Sequence, residues 1–411
     1  MTDIAIVALY FVVMLSVGWL SRRQSAESYW VAGRSYRTGR ITMSLVATIF
    51  GASSTMGIIG LGYSRGLTGA WWSLIGGISL VPFALLLASR VRALNVYTLP
   101  DILRTAYGNR VAVPAGLMIA VAWCGVIAAQ MIAGARLVAA LFSIGFEPAL
   151  MLVAIVFTLY TLWGGQLSVI RTDSWQLMLF VGGLLVSLGL LLASQGQVQG
   201  FWGNVPSDHW HFPVSNAFDW YHLLVFYPLI VGLPYLVGPD IYSRVLCAKD
   251  SDVARRSALL AAGIAIPLSF LLAFTGLLAR ARFPEIAPEA ALPTVLNVLV
   301  PVGLKGLITA GFLGAIMSSA DTCLISASTI LTLNVAGPIA RVGERHHLAM
   351  TRWTVAAAGA AAWFVASQQQ GIISSLLMGY TVFVGGVVCP TLATFLPKRF
   401  RIPSTAALWS V

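Results

Sequence analysis

Apolar runs of about twenty residues recur along the whole chain, separated by short stretches where Arg, Gly, Pro and Asp collect. A run of that length crosses the ~30 Å of hydrocarbon in a bilayer only as a structure that satisfies its own backbone, so the pattern predicts helices. Eleven spans follow, at roughly 4–20, 41–63, 69–88, 111–142, 148–163, 174–193, 221–246, 258–279, 304–335, 348–366 and 372–396. The expected fold is therefore all-α and polytopic.

Composition agrees, since 58% of residues are hydrophobic, 9% are charged and the mean hydropathy is +0.85. A formal net charge of +11 suggests nucleic acid until the positions of the basic residues are read. Most fall in alternate loops, with Arg65, Arg280 and Arg282 in the others: Arg22, Arg23, Arg34, Arg37 and Arg40 after the first span, then Arg90, Arg92, Arg104 and Arg110 after the third, and Arg171 after the fifth. Arg244, Lys249, Arg255 and Arg256 follow the seventh, Arg341, Arg345 and Arg352 the ninth, and Lys398, Arg399 and Arg401 the eleventh. This is the positive-inside pattern. It predicts a multi-pass protein of the cell (inner or plasma) membrane with its N-terminus outside, a lipid bilayer as its partner and no nucleic acid.

The first apolar run has no basic residue ahead of it and positive charge behind it, so it reads as a retained helix rather than a cleaved signal. Cys124, Cys247, Cys323 and Cys389 lie in or beside spans and imply no disulfide framework. The chain has no phosphate-cradling glycine loop and no nucleophile elbow, and the expectation is that it is not an enzyme. His209 and His211 of "DHWH" lack the Cys or acidic neighbours of a metal site.

Two spans break their own helices. "FGASSTMGIIGLG" (Phe50 to Gly62) lies in the second, and "YPLIVGLPYLVGPD" (Tyr227 to Asp240) in the seventh. Interrupted helices release carbonyls and amides that can replace the hydration shell of an ion or solute. The breaks are five spans apart, as inverted repeats spanning 41–195 and 221–396 would have them. The alternative is that Gly and Pro are simply tolerated between packed membrane helices.

A polar stripe marks the ninth span. In "GFLGAIMSSADTCLISAST", Ala315, Ser318, Ser319 and Thr322 share one helical face, with Asp321 at its edge and Ser326 and Thr329 extending it. A buried Asp is costly unless it pairs or meets a wet cavity. Neighbouring hydroxyls and a free carbonyl suit a small hard cation, and the competing role is polar contact between helices.

Five stretches then carry a family likeness: "SYWVAGRSYR" (Ser28 to Arg37), "AAQMIAGARLV" (Ala128 to Val138), "TLWGGQLSVIRTDSWQ" (Thr161 to Gln176), "YSRVLCAKDSDVARR" (Tyr242 to Arg256) and "GLKGLITAGFLGAIMSSADTCL" (Gly303 to Leu324). In this order they resemble the sodium/solute symporter family, nearest to its proline and carboxylate carriers. The resemblance implies a LeuT-type five-plus-five inverted repeat: a ten-helix core at 41–396, preceded at 1–40 by an extra helix and a basic loop. It also implies that residues 397–411 begin a C-terminal accessory helix that is truncated here. Na+ would be held by the carbonyls of Ala52, Thr55 and Ala315 and the hydroxyls of Ser318 and Ser319. A second sodium, or a proton, would use Asp173, Asp321 and Thr322 beside Ser318, although Asp173 could serve only as a waypoint for the departing ion.

The solute is less legible. Ser53, Ser54, Met56, Met378 and Tyr380 stand where family sugar carriers place amides and acids, so an amino acid or carboxylate is expected rather than a sugar. Trp71, Trp72 and Tyr235 could wall the pocket or belong to packing and the interfacial belt. Arg136 is expected to snorkel to the headgroups, and Asp240 with Arg244 to pair at the cytoplasmic surface. The resulting expectation is a monomeric sodium-coupled importer of a small organic solute, with a symporter-like solute sensor as the alternative.

Overall fold

The structure is a computed structural model that describes every residue except 199, 341, 342, 369, 370, 398 and 400. Arg341 and Lys398, counted above as loop charges, lie outside the described residues. Among the described residues the chain is almost wholly helical, with isolated bridges but no named strand.

Helices stand where the apolar runs place them. The first span is Thr2–Leu20, the fourth Asn109–Phe142, the eighth Ser251–Arg282, the ninth Leu304–Ile330 and the tenth Glu344–Gln368. The fifth and sixth form one continuous element, Phe146–Ala193, that turns sharply at Gly165 (φ 55°, ψ −165°). An L-residue rarely adopts that conformation, and a Cβ there would also meet the Tyr29 ring at 2.5 Å. Among the described residues, length and apolarity alone pick out seven crossing helices, or eight if the bent pair Ile372–Gly386 and Val388–Thr394 is one span. The difference from eleven has local causes. The second half of the second span runs on into the third, and the fifth and sixth are joined. The tenth begins with Glu344, Arg345, His346 and His347 and then depends on alanine, a weakly apolar residue.

Burial sorts the spans. The apolar window of the ninth is entirely buried, whereas that of the first is only 28% buried and leaves Leu9, Val12 and Leu20 outward. The ninth is thus the axis of the bundle, where a polar side chain must find protein partners rather than water. The first span still grips it. Asp3 Oδ1 accepts the amides of Gly303 (2.7 Å) and Gly306 (2.8 Å), capping the ninth helix from a neighbouring one. Tyr10 accepts from Gln176 Nε2 at 2.9 Å and donates to Met317 Sδ at 3.7 Å.

After the first span, the short helix Ala26–Val31 folds beneath the bundle. Tyr36 then donates its amide to the Cys247 carbonyl and accepts the Lys249 amide, bridging the loops that follow the first and seventh spans. Trp30 packs edge-on to Tyr97 and donates to Thr351 Oγ1 at 3.2 Å.

Candidate functional site

Both expected breaks are present. The second span is helical over Thr38–Ile49, leaves the helix at Phe50 (φ −87°, ψ 50°), makes a wide turn at Ser53–Gly57 and resumes at Ile58–Arg65. The seventh stops at Val237, passes through extended Gly238 (ψ 133°) and restarts as Pro239–Leu246. Pro239 suits that restart, because the first turn of a helix needs no amide donor.

The first break is held by two side chains. Gln130 of the fourth span accepts the Ala52 amide at 2.6 Å, and Thr55 Oγ1 donates to the Gly51 carbonyl at 2.7 Å. A Cβ on Gly51 would meet Ser319 Oγ at 2.5 Å and Gln130 Oε1 at 2.6 Å. The ninth span therefore presses Ser319 onto the break, and only glycine allows it so near. The Ala52 carbonyl is engaged in the wide turn, accepting the Gly57 amide at 3.0 Å. Ala52, Thr55 and Ala315 are fully buried.

Ser318 points elsewhere. Its hydroxyl donates to Asp173 Oδ1 at 2.6 Å, and Thr322 Oγ1 donates back to the Ser318 carbonyl at 2.7 Å. Asp173 also accepts from Ser44 and pairs with Arg244 at 3.4 Å, both partners of that pair being fully buried. Arg244 Nε donates to Thr48 Oγ1 at 2.9 Å, and its Nη2 donates to Thr322. This corrects the surface pair expected of Asp240 and Arg244. The restarted half-helix lies inside the bundle, so Arg244 turns inward to a carboxylate of another span. A buried guanidinium is tolerable only with such partners.

Asp321 faces the fifth span, where its Oδ1 accepts Thr161 Oγ1 at 2.7 Å, while Oδ2 has no hydrogen-bond partner. Asp173 and Asp321 thus share no partner. Arg244 pairs directly with Asp173 and not with Asp321.

Between the two breaks lies a narrow cavity of about 20 Å³. Ser53, Ser54, Tyr235 and Tyr380 line it, as expected of solute-contacting residues, together with Ser319. The Tyr235 ring lies across Gly76 of the third span. The other expected solute residues are elsewhere. Met56 opens onto an outer cavity of about 410 Å³ beside Arg136 and Glu289. Trp71 stacks on Phe212 and donates to the Pro213 carbonyl at 2.8 Å. Trp72 packs edge-on to Tyr227, and Met378 is 43% exposed on the outside of the bundle. In the eleventh span the helix turns Tyr380 inward and so turns Met378, two residues away, outward. Arg136 does not simply snorkel, for it pairs with Glu289 at 2.5 Å.

Sequence reasoning missed Gln130 and Asp240 on the cavity wall. Gln130 is the single strongly polar residue in the buried middle of the fourth span, and Asp240 directly follows the Gly-Pro of the second break. Those were the available signals. Among the described residues no group of His, Cys, Asp and Glu could hold a metal in the manner of a His/Cys centre, and "DHWH" is not one. His209 instead packs beneath Gly66 at the outer end of the bundle, where burial and the nearby Arg280 push its imidazole pKa down.

A model of the sodium:solute symporter family matches residues 29–409. Among curated proteins, the chain is 27% identical over 396 residues to a Mus musculus sodium/myo-inositol cotransporter 2, covering 85% of this chain and 59% of that protein. It is 28% identical over 387 residues to a Homo sapiens sodium/glucose cotransporter 4, covering 81% and 55%. The chain thus spans somewhat over half the length of these relatives. A solved structure of a Na+-coupled sialic acid symporter, substrate-bound and outward-open, with a novel Na+ site, superposes with a TM-score of 0.77 at 18% identity, covering 96% of this chain and 86% of that one. That likeness bears out the expected LeuT-type fold.

Proposed function

The chain belongs to the sodium:solute symporter family, and from that premise we propose that it is a sodium-coupled secondary carrier of a small organic solute, working by alternating access. The observation that carries this reading is the contact of Ser319 with the break at Gly51, on the wall of a polar cavity enclosed by two interrupted helices. A cation held by the Ala52, Thr55 and Ala315 carbonyls and the Ser318 and Ser319 hydroxyls would tie the ninth span to the second. Because the same break lines the cavity through Ser53 and Ser54, ordering it for the ion also orders it for the solute. The relatives named for myo-inositol, glucose and sialic acid support sodium coupling as the energy source.

The solute reading shifts from the one expected on sequence. The relatives named above carry polyols or sugars rather than amino acids. No lysine, arginine or histidine stands on the cavity wall, and Asp240 does. A free carboxylate on the solute would meet a like charge there without a counter-ion, so the cavity favours a solute without net negative charge. Asp321 and Thr322 remain candidates for a second ion; Asp173 is the weaker one, because Arg244 already compensates it.

The reading includes a location in the cell membrane, an N-terminus outside, which the distribution of loop charges supports, and a monomeric state. The test is tracer uptake of myo-inositol, glucose, choline and proline into proteoliposomes under a sodium gradient, a potassium gradient and none. Uptake of at least one solute that requires sodium is expected. Failure of every probe to respond to sodium would overturn the carrier reading.

A further inference from the structure

Asp240 and Arg244 lie one helical turn apart on the half-helix Pro239–Leu246, a spacing that ordinarily lets opposite charges pair. They do not. Arg244 is committed to Asp173, Thr48 and Thr322. Asp240 is left on the cavity wall with no side-chain ion pair, beside the amides at the start of its own half-helix. Those amides suit a negative charge, as does the positive end of the helix dipole. They carry no full counter-charge, Arg244 one turn away is already paired with Asp173, and none of the other residues lining the cavity is basic. Two aromatic rings complete the wall beside it, Tyr235 from the first half of the same broken span and Tyr380 from the eleventh.

A carboxylate and two tyrosine rings around a small enclosed space constitute a receptor for a cationic nitrogen. The carboxylate supplies the counter-charge, and ring faces attract an ammonium group once water is excluded. A neutral polyol could hydrogen-bond to Asp240 but would leave its charge uncompensated in the closed cavity. Resting on the carrier reading above, we propose that Asp240, Tyr235 and Tyr380 form the recognition point for a positively charged nitrogen, and that the solute is a small primary or quaternary amine. Ser53 and Gln130, which also line the cavity, then hydrogen-bond whatever polar group the solute carries beyond its nitrogen, and Ser54 lies within hydrogen-bond reach of Tyr235.

The test uses the full-length protein in proteoliposomes, with radiolabelled choline, ethanolamine, myo-inositol and glucose as probes. Sodium-driven uptake of choline or ethanolamine is expected to exceed that of the two polyhydroxyl probes. Asp240→Asn should lower it at least about tenfold, the scale of losing a charge-assisted contact, while sodium still raises the melting temperature of the variant. Tyr380→Leu should lower amine uptake several-fold more than Tyr380→Phe, because phenylalanine keeps the ring. This pair decides the matter even if Asp240→Asn does not fold. Sodium-driven uptake of myo-inositol or glucose with both amines excluded would overturn this inference and leave the carrier reading intact. Loss of sodium stabilisation in a folded Asp240→Asn would also overturn it, by making Asp240 part of the ion site. No sodium-driven uptake of any probe would overturn the carrier reading itself.

Discussion

Arg244 and Asp173 face each other at 3.4 Å, and neither exposes any of its side chain. Through this pair the second half-helix of the seventh span is fastened to the start of the sixth, and hydrogen bonds to Thr48, Thr322, Ser44 and Ser318 draw in the second and ninth. Removing one partner leaves the other charged and buried. Arg244→Met is therefore expected to destabilise the protein by about 3–5 kcal/mol. The double variant Arg244→Met with Asp173→Asn should recover part of that loss. Thermal unfolding in detergent of the two single variants and the double completes the cycle, and strict additivity would show that the pair is not coupled.

The two adjacent serines of the ninth span should separate in experiment. Ser319 meets the break, whereas Ser318 hydrogen-bonds to Asp173. If both donate a ligand to sodium, either alanine variant raises the sodium concentration for half-maximal uptake by about tenfold, the equivalent of about 1.4 kcal/mol. Ser318→Ala should in addition lower stability in the absence of sodium, by the ~1–3 kcal/mol of a lost bond to a charged group, and Ser319→Ala should not. Ser328→Ala, whose hydroxyl has no partner, is the control. Melting curves with sodium and with potassium separate the two effects.

Asp3 caps a helix to which it does not belong. Its carboxylate takes the Gly303 and Gly306 amides, so Asp3→Ala should cost about 0.5–2 kcal/mol, and Asp3→Asn less, because an amide oxygen can still accept. The sodium dependence of uptake should stay as it is in the parent protein. A shift in that dependence greater than the shift in stability would mean that the cap also sets the position of the ion ligands.

His209 makes stability depend on pH at the outer face. Burial and Arg280 hold its pKa below the ordinary value of 6.5. The unfolded chain therefore takes up a proton before the folded one does. The contribution of this group is fully present above the unfolded pKa and is lost as pH falls through the folded one. The melting temperature should fall as pH is lowered below about 6.5, and His209→Gln should flatten that part of the profile. An identical slope in the variant would assign the effect to another group.

Hydropathy and the polar exceptions to it determined most of the architecture. A bilayer admits few backbone solutions, so apolar length predicts spans, and residues that disrupt helices, such as those around Gly51 and Gly238, predict breaks. The ninth span announced itself in the same way, since hydroxyls and a carboxylate in so apolar a helix need partners. The sequence separated the fifth span, ending at 163, from the sixth, beginning at 174, but did not single out Gly165 as the turn or show that the two spans become one bent element.

Only the tertiary structure decided which partners those polar groups found. Arg244 and Asp240 are spaced as a pair in sequence, yet one turns to Asp173 and the other to the cavity, because the half-helix that bears them is enclosed by spans distant along the chain. Ser318 and Ser319 are neighbours in sequence, and a rotation of about 100° between them along the helix gives one to a carboxylate and the other to a glycine. Trp71, Trp72, Met56 and Met378 read equally well as pocket walls, but their contacts are with Phe212, Tyr227, the outer cavity and the outside of the bundle. Helical periodicity fixes which residues share a face; the packing of neighbouring spans fixes what that face meets.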